Sequence, residues 1–237
     1  MSFSIALSGK CGDIIYELAG VSALAKLRNQ RADVWLLQND GISLTAQEVQ
    51  SLLPLIRSQL YVASAETWDG KRPDVDVTDW FMNYDHANNI VRDLLGWLEV
   101  DLDEGRREWL TVDVPENGFT LVNKTSRYCN PAVQWPAVID EHPHAQFIGL
   151  PHEWEAFQKL IQRKVGYFKT ADFLEVGRAI GGCSLFLGNQ SAPLATAHGL
   201  HRPVLVETSH EYPNCVFVRP NARYLGIDES FVEKHGY

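Results

Sequence analysis

Short apolar runs alternate with amphipathic segments along this chain, and that alternation constrains its fold more than any other feature. Three runs in the first part predict buried strands, at residues 3–7, 32–38 and 61–68. Residues 14–28 place apolar side chains at helical spacing. Residues 45–59 open with Thr45 and carry Glu48 three positions later, which is the capping-box pattern of a helix start. This strand–helix–strand order predicts a parallel sheet.

The alternation restarts in the second part of the chain, after a less regular stretch over residues 68–118. Strands are predicted within residues 119–127, 145–150, 163–170, 184–189 and 203–208, and helices within 134–143, 152–161, 171–183 and 191–200. The polar segment TVDVPENG, residues 111–118, is the best candidate for a boundary because it combines proline with glycine. We therefore predict an α/β chain with two Rossmann-like domains, residues 1–117 and 118–237.

Charge and cysteine content narrow the possible classes of function. The 237 residues carry a net charge of −9, which disfavours a broad electrostatic surface for nucleic acid or an anionic membrane. No apolar run reaches the roughly 18–20 residues of a membrane span, and the first run is too short for a secretion signal. The four cysteines form no C-x-x-C pair. We expect a cytoplasmic protein with free thiols, no membrane span and no metal site.

The loop SGKCGD, residues 8–13, joins the first strand to the first helix, where open α/β sheets bind ligands. Gly9 and Gly12 allow the backbone to approach a ligand closely, and the helix start that follows favours an anion. Lys10 adds a positive charge. Asp13 falls in the first helical turn, where it either caps the helix or projects as a general base. Taken alone, these residues favour the capping role.

The loop GNQSAP, residues 188–193, occupies the same kind of position after a strand of the second part. Ser191 is a natural N-cap. The backbone N–H groups of Ser191 and Ala192 would form a phosphate cradle, or the start of an ordinary capped helix. Asn189 and Gln190 share this loop and are candidate binding residues.

The segment NKTSRY, residues 123–128, follows the first strand of the second part. Lys124 and Arg127 would hold a diphosphate, since the guanidinium fork matches an oxyanion, or they would be solvated surface charges. Ser126 lies between them and is a further binding candidate.

Three motifs, in this order along the chain, resemble those of the ADP-heptose-type glycosyltransferases, the lipopolysaccharide heptosyltransferase family 9. SGKCGDIIYELAGVSAL resembles the family's G-x-x-G-D loop with its helix. NKTSRYCNPAVQWP resembles its [ST]-R-x-x-x-K-x-W-P, and residues 171–207 resemble the segment around its D-[ST]-G. The resemblance covers both ends of the chain and most of the second part, and it fades across residues 68–118.

The resemblance implies a GT-B architecture, in which two Rossmann-like domains face each other across a cleft. It implies an acceptor in the first domain and a nucleotide-diphosphate sugar as donor substrate in the second, with no further cofactor. Asp13 corresponds to the family's general base, and Ser191 with Ala192 to its diphosphate-binding helix start. Lys124 and Arg127 correspond to its basic diphosphate-contacting segment. The expected activity is an inverting, metal-independent sugar transfer to a hydroxyl.

Three positions depart from the family pattern: Gln190, Ala192 and Ala195 replace its Asp, Gly and His. These changes leave open a second interpretation, a nucleotide or nucleotide-sugar binding protein without the chemistry. A third is a phage-type transferase acting on a hydroxylated base in DNA, which the net charge of −9 disfavours. The sequence leaves open the sugar, the nucleotide base, the acceptor (a saccharide or a modified DNA base) and the oligomeric state.

Overall fold

The structure, a computed structural model, describes residues 1–39, 41, 43–114 and 118–237. Within these ranges the strands are β1 (Ser2–Leu7), β2 (Arg31–Leu36), β3 (Val62–Thr67), β4 (Val75–Asp76), β5 (Thr120–Asn123), β6 (Gln146–Ile148), β7 (Gly166–Phe168), β8 (Leu185–Asn189), β9 (Val204–Glu207) and β10 (Ala222–Leu225). The α-helices are α1 (Cys11–Arg28), α2 (Ala46–Arg57), α3 (Thr78–Asn83), α4 (Ile90–Trp97), α5 (Trp135–Glu141), α6 (Pro151–Ile161), α7 (Phe173–Gly181), α8 (Ala192–Gly199) and α9 (Glu229–His235). A 3-10 helix spans Leu102–Arg106.

The strands form two parallel sheets, one from each part of the chain. The first sheet has the order β3-β2-β1-β4, and the second has the order β10-β9-β8-β5-β6-β7. In the first sheet, Ile5 lies opposite Val34 on one side and Val75 on the other. In the second, Val122 lies between Phe147 and Leu187. The predicted α/β class with two parallel sheets is confirmed.

Local capping explains why several helices begin where they do. Thr45 Oγ1 accepts a hydrogen bond from the Glu48 N–H (3.2 Å), and Glu48 Oε2 accepts one from the Thr45 N–H (2.8 Å). The predicted capping box of α2 is therefore present. The sequence patterns did not reveal β4, α3, β10 or α9, because elements of two to seven residues are too short to display a period.

A continuous hydrophobic core joins the two sheets. Helix α1 packs along α8, and α2 packs along α7. Gly177 of α7 lies so close to α2 that a Cβ there would be 3.3 Å from Leu55. A smaller cluster around Trp135, Phe147 and Phe157 packs against the second sheet. The packing of α1 on α8 places the starts of these two helices side by side.

The end of the chain returns to the first part. Asn89 Nδ2 donates to the Val216 carbonyl (2.7 Å), and the Ile90 N–H donates to the Asn214 carbonyl (2.9 Å). The predicted domain boundary falls at residue 117, outside the described residues, and the division at that point stays a prediction. No helix in the described ranges is long and apolar enough to cross a membrane.

Candidate active site

Each sheet has one point at which the strand order reverses, and these points locate the candidate site. In the first sheet the chain runs outward through β1, β2 and β3 and then returns to the other side of β1 as β4. In the second, β6 and β7 lie on one side of β5, and β8 lies on the other. Ligands of open α/β sheets bind at the carboxyl ends of strands at such reversals. The loops after β1, β5 and β8 carry all the site residues predicted from the sequence.

The loop after β1 is held by its own backbone and by Ser43. Gly9 has φ +112°, and a Cβ there would lie 2.8 Å from both the Phe81 ring and the Asp13 Cβ, so only glycine fits. Ser43 Oγ accepts from the Gly9 N–H (3.1 Å). Lys10 Nζ donates to the Ser43 carbonyl (2.5 Å), which keeps this ammonium at the loop.

Asp13 occupies the third position of α1 and reaches back to the start of the helix. Its Oδ2 accepts from the Lys10 N–H (2.8 Å), so it caps this helix from inside the first turn. The carboxylate is partly buried. Burial raises the pKa of Asp13 above its ordinary value of 3.8, and the Lys10 N–H and the charges of Arg127 and His86 offset part of that increase. A carboxylate whose pKa is raised by burial is a stronger proton acceptor than a fully solvated one.

The start of α8 lies against the start of α1. Ser191 caps α8, with its Oγ accepting from the Leu194 N–H (3.3 Å). A Cβ on Gly12 would lie 3.5 Å from the Ala192 backbone nitrogen, so Gly12 allows the two helix starts to meet. Two converging helix N-termini favour a negative charge at this place.

The Asn189 side chain connects the loops after β5 and β8 through hydrogen bonds inside the protein. Its side chain is fully buried. Its Oδ1 accepts from the Thr125 N–H (2.9 Å), and its Nδ2 donates to the Arg127 carbonyl (2.6 Å). These bonds fix the loop after β5, which leaves Ser126 and Arg127 exposed beside the helix starts. The Arg127 guanidinium lies 5.7 Å from the centre of the Tyr128 ring.

Lys124 points into the protein rather than toward the helix starts. Its Nζ forms a buried ion pair with Glu207 (3.0 Å) and donates to the Thr125 carbonyl (2.9 Å). Glu207 also accepts from the Asn130 N–H (2.7 Å) and from Trp135 Nε1 (2.9 Å). The predicted contact of Lys124 with a diphosphate would require this ion pair to open.

Gln190 is also engaged inside the protein. It is 4% exposed, and its Nε2 donates to the Tyr212 carbonyl (2.5 Å) and to Asn214 Oδ1 (2.9 Å). Asn214 Nδ2 in turn donates to the Tyr84 Oη (2.7 Å). The amide nitrogen of Gln190 therefore holds neighbouring residues in place, whereas its buried Oε1 has no hydrogen-bond partner among the described residues.

Four aromatic rings that no sequence motif marks form a cluster, and three of them, Tyr84, His86 and Tyr128, interact electrostatically with Asp13. The Tyr84 and His86 rings lie 4.3 Å apart between centres, and those of Tyr128 and Tyr212 lie 5.1 Å apart. His86 and Tyr212 connect the two pairs at 6.5 Å. Tyr84 and His86 follow α3 in the irregular stretch, where no motif marked them. Tyr128 follows Arg127 directly, and its φ of +52° is an unusual conformation that was invisible in the sequence.

Glu17 lies one helical turn after Asp13 in α1. It is 1% exposed, and neither oxygen has a hydrogen-bond partner among the described residues. Burial raises the pKa of Glu17 well above its ordinary value of 4.5, and the negative charge of Asp13 raises it further. Glu17 therefore keeps its proton to a higher pH in the folded protein than in the unfolded chain.

Replacing Glu17 with Gln is expected to stabilise the protein increasingly as the pH rises above about 4.5. In that range the unfolded chain releases the Glu17 proton while the folded protein keeps it, so the wild type loses stability with pH. Gln retains the shape and has no proton to lose. Urea unfolding from pH 5 to pH 8 measures the difference, with the exposed Glu141→Gln as control. A constant difference across this range would contradict a buried neutral Glu17.

Among the described residues, no group of three or more His, Cys, Asp or Glu side chains is placed to hold a metal ion. The groups whose charges lower the pKa of Asp13 are Arg127, His86 and Lys10, and the starts of α1 and α8 adjoin there. This arrangement can bind an anion and accept a proton at the same place.

Comparisons with known proteins agree with this architecture. No protein-family model and no curated protein matches the chain. Among solved structures, the Veillonella parvula family 9 glycosyl transferase is 12% identical, with a TM-score of 0.68 over 96% of this chain and 88% of that one. The E. coli heptosyltransferase WaaC, solved with ADP, is 12% identical, with a TM-score of 0.63 over 94% and 92% of the chains.

The E. coli ADP-heptose lipopolysaccharide heptosyltransferase II is likewise 12% identical, with a TM-score of 0.61 over 95% of this chain and 90% of that one. Identities this low establish a common fold and leave the chemistry to the residues of the site. The chain adopts the GT-B fold of the family 9 glycosyltransferases, as its motifs predicted.

Proposed function

We propose that this protein is a glycosyltransferase that moves a sugar from a nucleotide-diphosphate sugar to a hydroxyl acceptor. The observation that carries the proposal is the placement of Asp13 in the first turn of α1, whose start meets the start of α8, with Arg127 from the other part of the chain near enough to lower the pKa of Asp13. A base and an anion site adjoin there, and sugar transfer needs both. The fold shared with heptosyltransferases supports the same conclusion.

In the proposed reaction Asp13 takes the proton of the acceptor hydroxyl. The acceptor oxygen forms a bond to the anomeric carbon of the donor, on the face opposite the diphosphate. The bond from that carbon to the diphosphate oxygen breaks, and its electron pair leaves with the diphosphate. This single displacement inverts the configuration at the anomeric carbon.

The leaving diphosphate gains negative charge as the bond breaks, and the site offers positive partners for it. Arg127 supplies a guanidinium, and the Ser191 and Ala192 N–H groups lie at the positive end of α8. We propose that these groups stabilise the leaving group without a metal ion. Gly9, Lys10 and Gly12 belong to the adjoining loop and helix start after β1, and Ser126 precedes Arg127 in the exposed loop after β5.

We propose that the sugar donor contains a nucleoside diphosphate. The similar structures of WaaC and TibC were determined with ADP, ADP-2-deoxy-2-fluoro heptose or ADP-D-β-D-heptose, and all of these contain ADP. ADP is therefore the first ligand to test. Other nucleoside diphosphates belong in the same screen, since Gln190 and Ala192 depart from the family pattern.

A nucleoside diphosphate is expected to raise the melting temperature, because a ligand that binds only the folded state stabilises it by about 2.7 kcal/mol at 100 times its Kd. Thermal shifts with ADP, UDP, GDP and CDP, followed by a transfer assay with the matching sugars, measure this. Inorganic phosphate at the same concentration is the control. Binding without any transfer would favour the alternative of a nucleotide-sugar binding protein. No shift with any diphosphate would contradict the proposed site.

A further inference from the structure

A chain of side-chain hydrogen bonds crosses from the second part of the molecule to the first, beside the proposed active site. Gln190 Nε2 donates to Asn214 Oδ1 (2.9 Å), and Asn214 Nδ2 donates to the Tyr84 Oη (2.7 Å). The Asn214 carbonyl also accepts from the Ile90 N–H (2.9 Å), which fixes Asn214 against the start of α4. Gln190 is 4% exposed and Tyr84 is 9% exposed, and Asn214 between them is half-buried.

The direction of these hydrogen bonds determines whether the Tyr84 hydroxyl can still donate one. Its oxygen accepts the proton of Asn214, so its own O–H is left to donate elsewhere. Among the described residues this O–H has no acceptor. The Tyr84 O–H is therefore free to donate to a ligand.

The Phe81 ring connects Tyr84 to the loop of Asp13. A Cβ on Gly9 would touch both the Asp13 Cβ and the Phe81 ring at 2.8 Å, and the Phe81 ring is 6.1 Å from that of Tyr84. Burial raises the pKa of the Tyr84 phenol, and the negative charge of Asp13 raises it further. The phenol therefore remains a neutral hydrogen-bond donor at every ordinary pH.

We propose that Tyr84 is a catalytic residue that donates a hydrogen bond to the departing diphosphate, and that Gln190 and Asn214 are the positioning residues that aim it. The inference rests on the proposed function and adds a hydrogen-bond donor from the first part of the chain to the diphosphate contacts proposed for Arg127, Ser191 and Ala192 of the second part. It also gives Gln190 a role at a position where the family pattern has Asp. No proton is transferred by Tyr84: its O–H bond stays intact while the diphosphate oxygen receives the electron pair from the anomeric carbon.

Tyr84→Phe tests whether the Tyr84 hydroxyl donates a hydrogen bond to the diphosphate. We expect kcat to fall by about 10²-fold, as when one donor to a developing negative charge is removed, with the KM of the acceptor unchanged. The Kd of ADP should rise by about 10-fold or more, because a hydrogen bond to a charged oxygen is lost. The matched control is Tyr61→Phe, which removes a phenol that donates to the Trp109 carbonyl (2.8 Å) away from the site.

Asn214→Asp tests whether Asn214 orients the Tyr84 hydroxyl. The new carboxylate would accept the Tyr84 proton and divert it from the ligand, so kcat should fall about as far as in Tyr84→Phe. The double variant Tyr84→Phe/Asn214→Asp should be no slower than the slower single variant, because both changes remove the same interaction.

These outcomes separate the inference from the proposed function. Weaker ADP binding by Tyr84→Phe supports the inference even where no transfer is detected, whereas an inactive wild type contradicts only the proposed activity. A Tyr84→Phe variant with a lower melting temperature but unchanged kcat and ADP affinity would show a purely structural Tyr84 and overturn the inference.

Discussion

Replacing Asp13 with Asn is expected to lower kcat by about 10²–10⁴-fold, the usual contribution of a positioned general base. The amide oxygen of Asn can still accept the Lys10 N–H, which Asp13 Oδ2 accepts in the wild type (2.8 Å), so the loop and the start of α1 should persist. What is lost is the group that takes the acceptor proton. Steady-state kinetics with the donor identified by thermal shift measure the effect.

The affinity of the Asp13→Asn variant for the nucleoside diphosphate should be equal to or higher than that of the wild type, because a negative charge next to the diphosphate is removed. Asp228→Asn is the matched control, since Asp228 caps α9 by accepting from the Phe231 N–H (2.9 Å) and Asn caps equally well. Full activity of Asp13→Asn would leave Asp13 with the capping role alone, which is the role that the residues favoured before the fold was known.

Replacing Glu207 with Ala is expected to destabilise the protein by about 3–5 kcal/mol, the cost of leaving a buried charge without its partner. The Lys124 side chain is 8% exposed, and its Nζ would lose the carboxylate partner at 3.0 Å. The Asn130 N–H and Trp135 Nε1 would lose their acceptor as well. Because these groups fix the loop after β5, the Arg127 segment should loosen and ADP binding should weaken.

Urea unfolding measures the stability change, and Asp140→Ala is the comparison. Asp140 is largely exposed and pairs with Arg163 at 2.7 Å, so its removal should change the free energy of unfolding little. The variant Lys124→Met/Glu207→Leu should recover much of the lost stability, since no charge remains buried. If Glu207→Ala cost no more than Asp140→Ala, the ion pair would not be a support of this loop.

Much of the fold could be predicted because the relevant signals are local. The apolar runs located β1, β5 and β8, and the capping residues Thr45 and Ser191 located the starts of α2 and α8. Parallel strands of one sheet end at one edge, so the loops that follow them were expected to meet. Of the predicted site residues, Asp13, Ser191, Ala192 and Arg127 lie together at that edge.

What could not be predicted depends on residues distant in sequence. Lys124 carries a positive charge that suits a diphosphate, and no neighbouring residue in the sequence reveals that it pairs with Glu207. Gln190 follows Asn189 in a loop that resembles a binding motif, yet both amides bond to other segments of the protein. Tyr84 comes from a stretch with no pattern, and its partner Asn214 lies in the other part of the chain.

The structure of Asp13→Asn bound to its nucleotide sugar tests the central claim most directly, because this variant should hold the donor without turnover. We expect the diphosphate at the Ser191 and Ala192 N–H groups and within hydrogen-bond distance of Arg127, with the anomeric carbon facing residue 13. A donor bound elsewhere would contradict the account, for example in the surface groove lined by Arg92, Trp97 and Lys234.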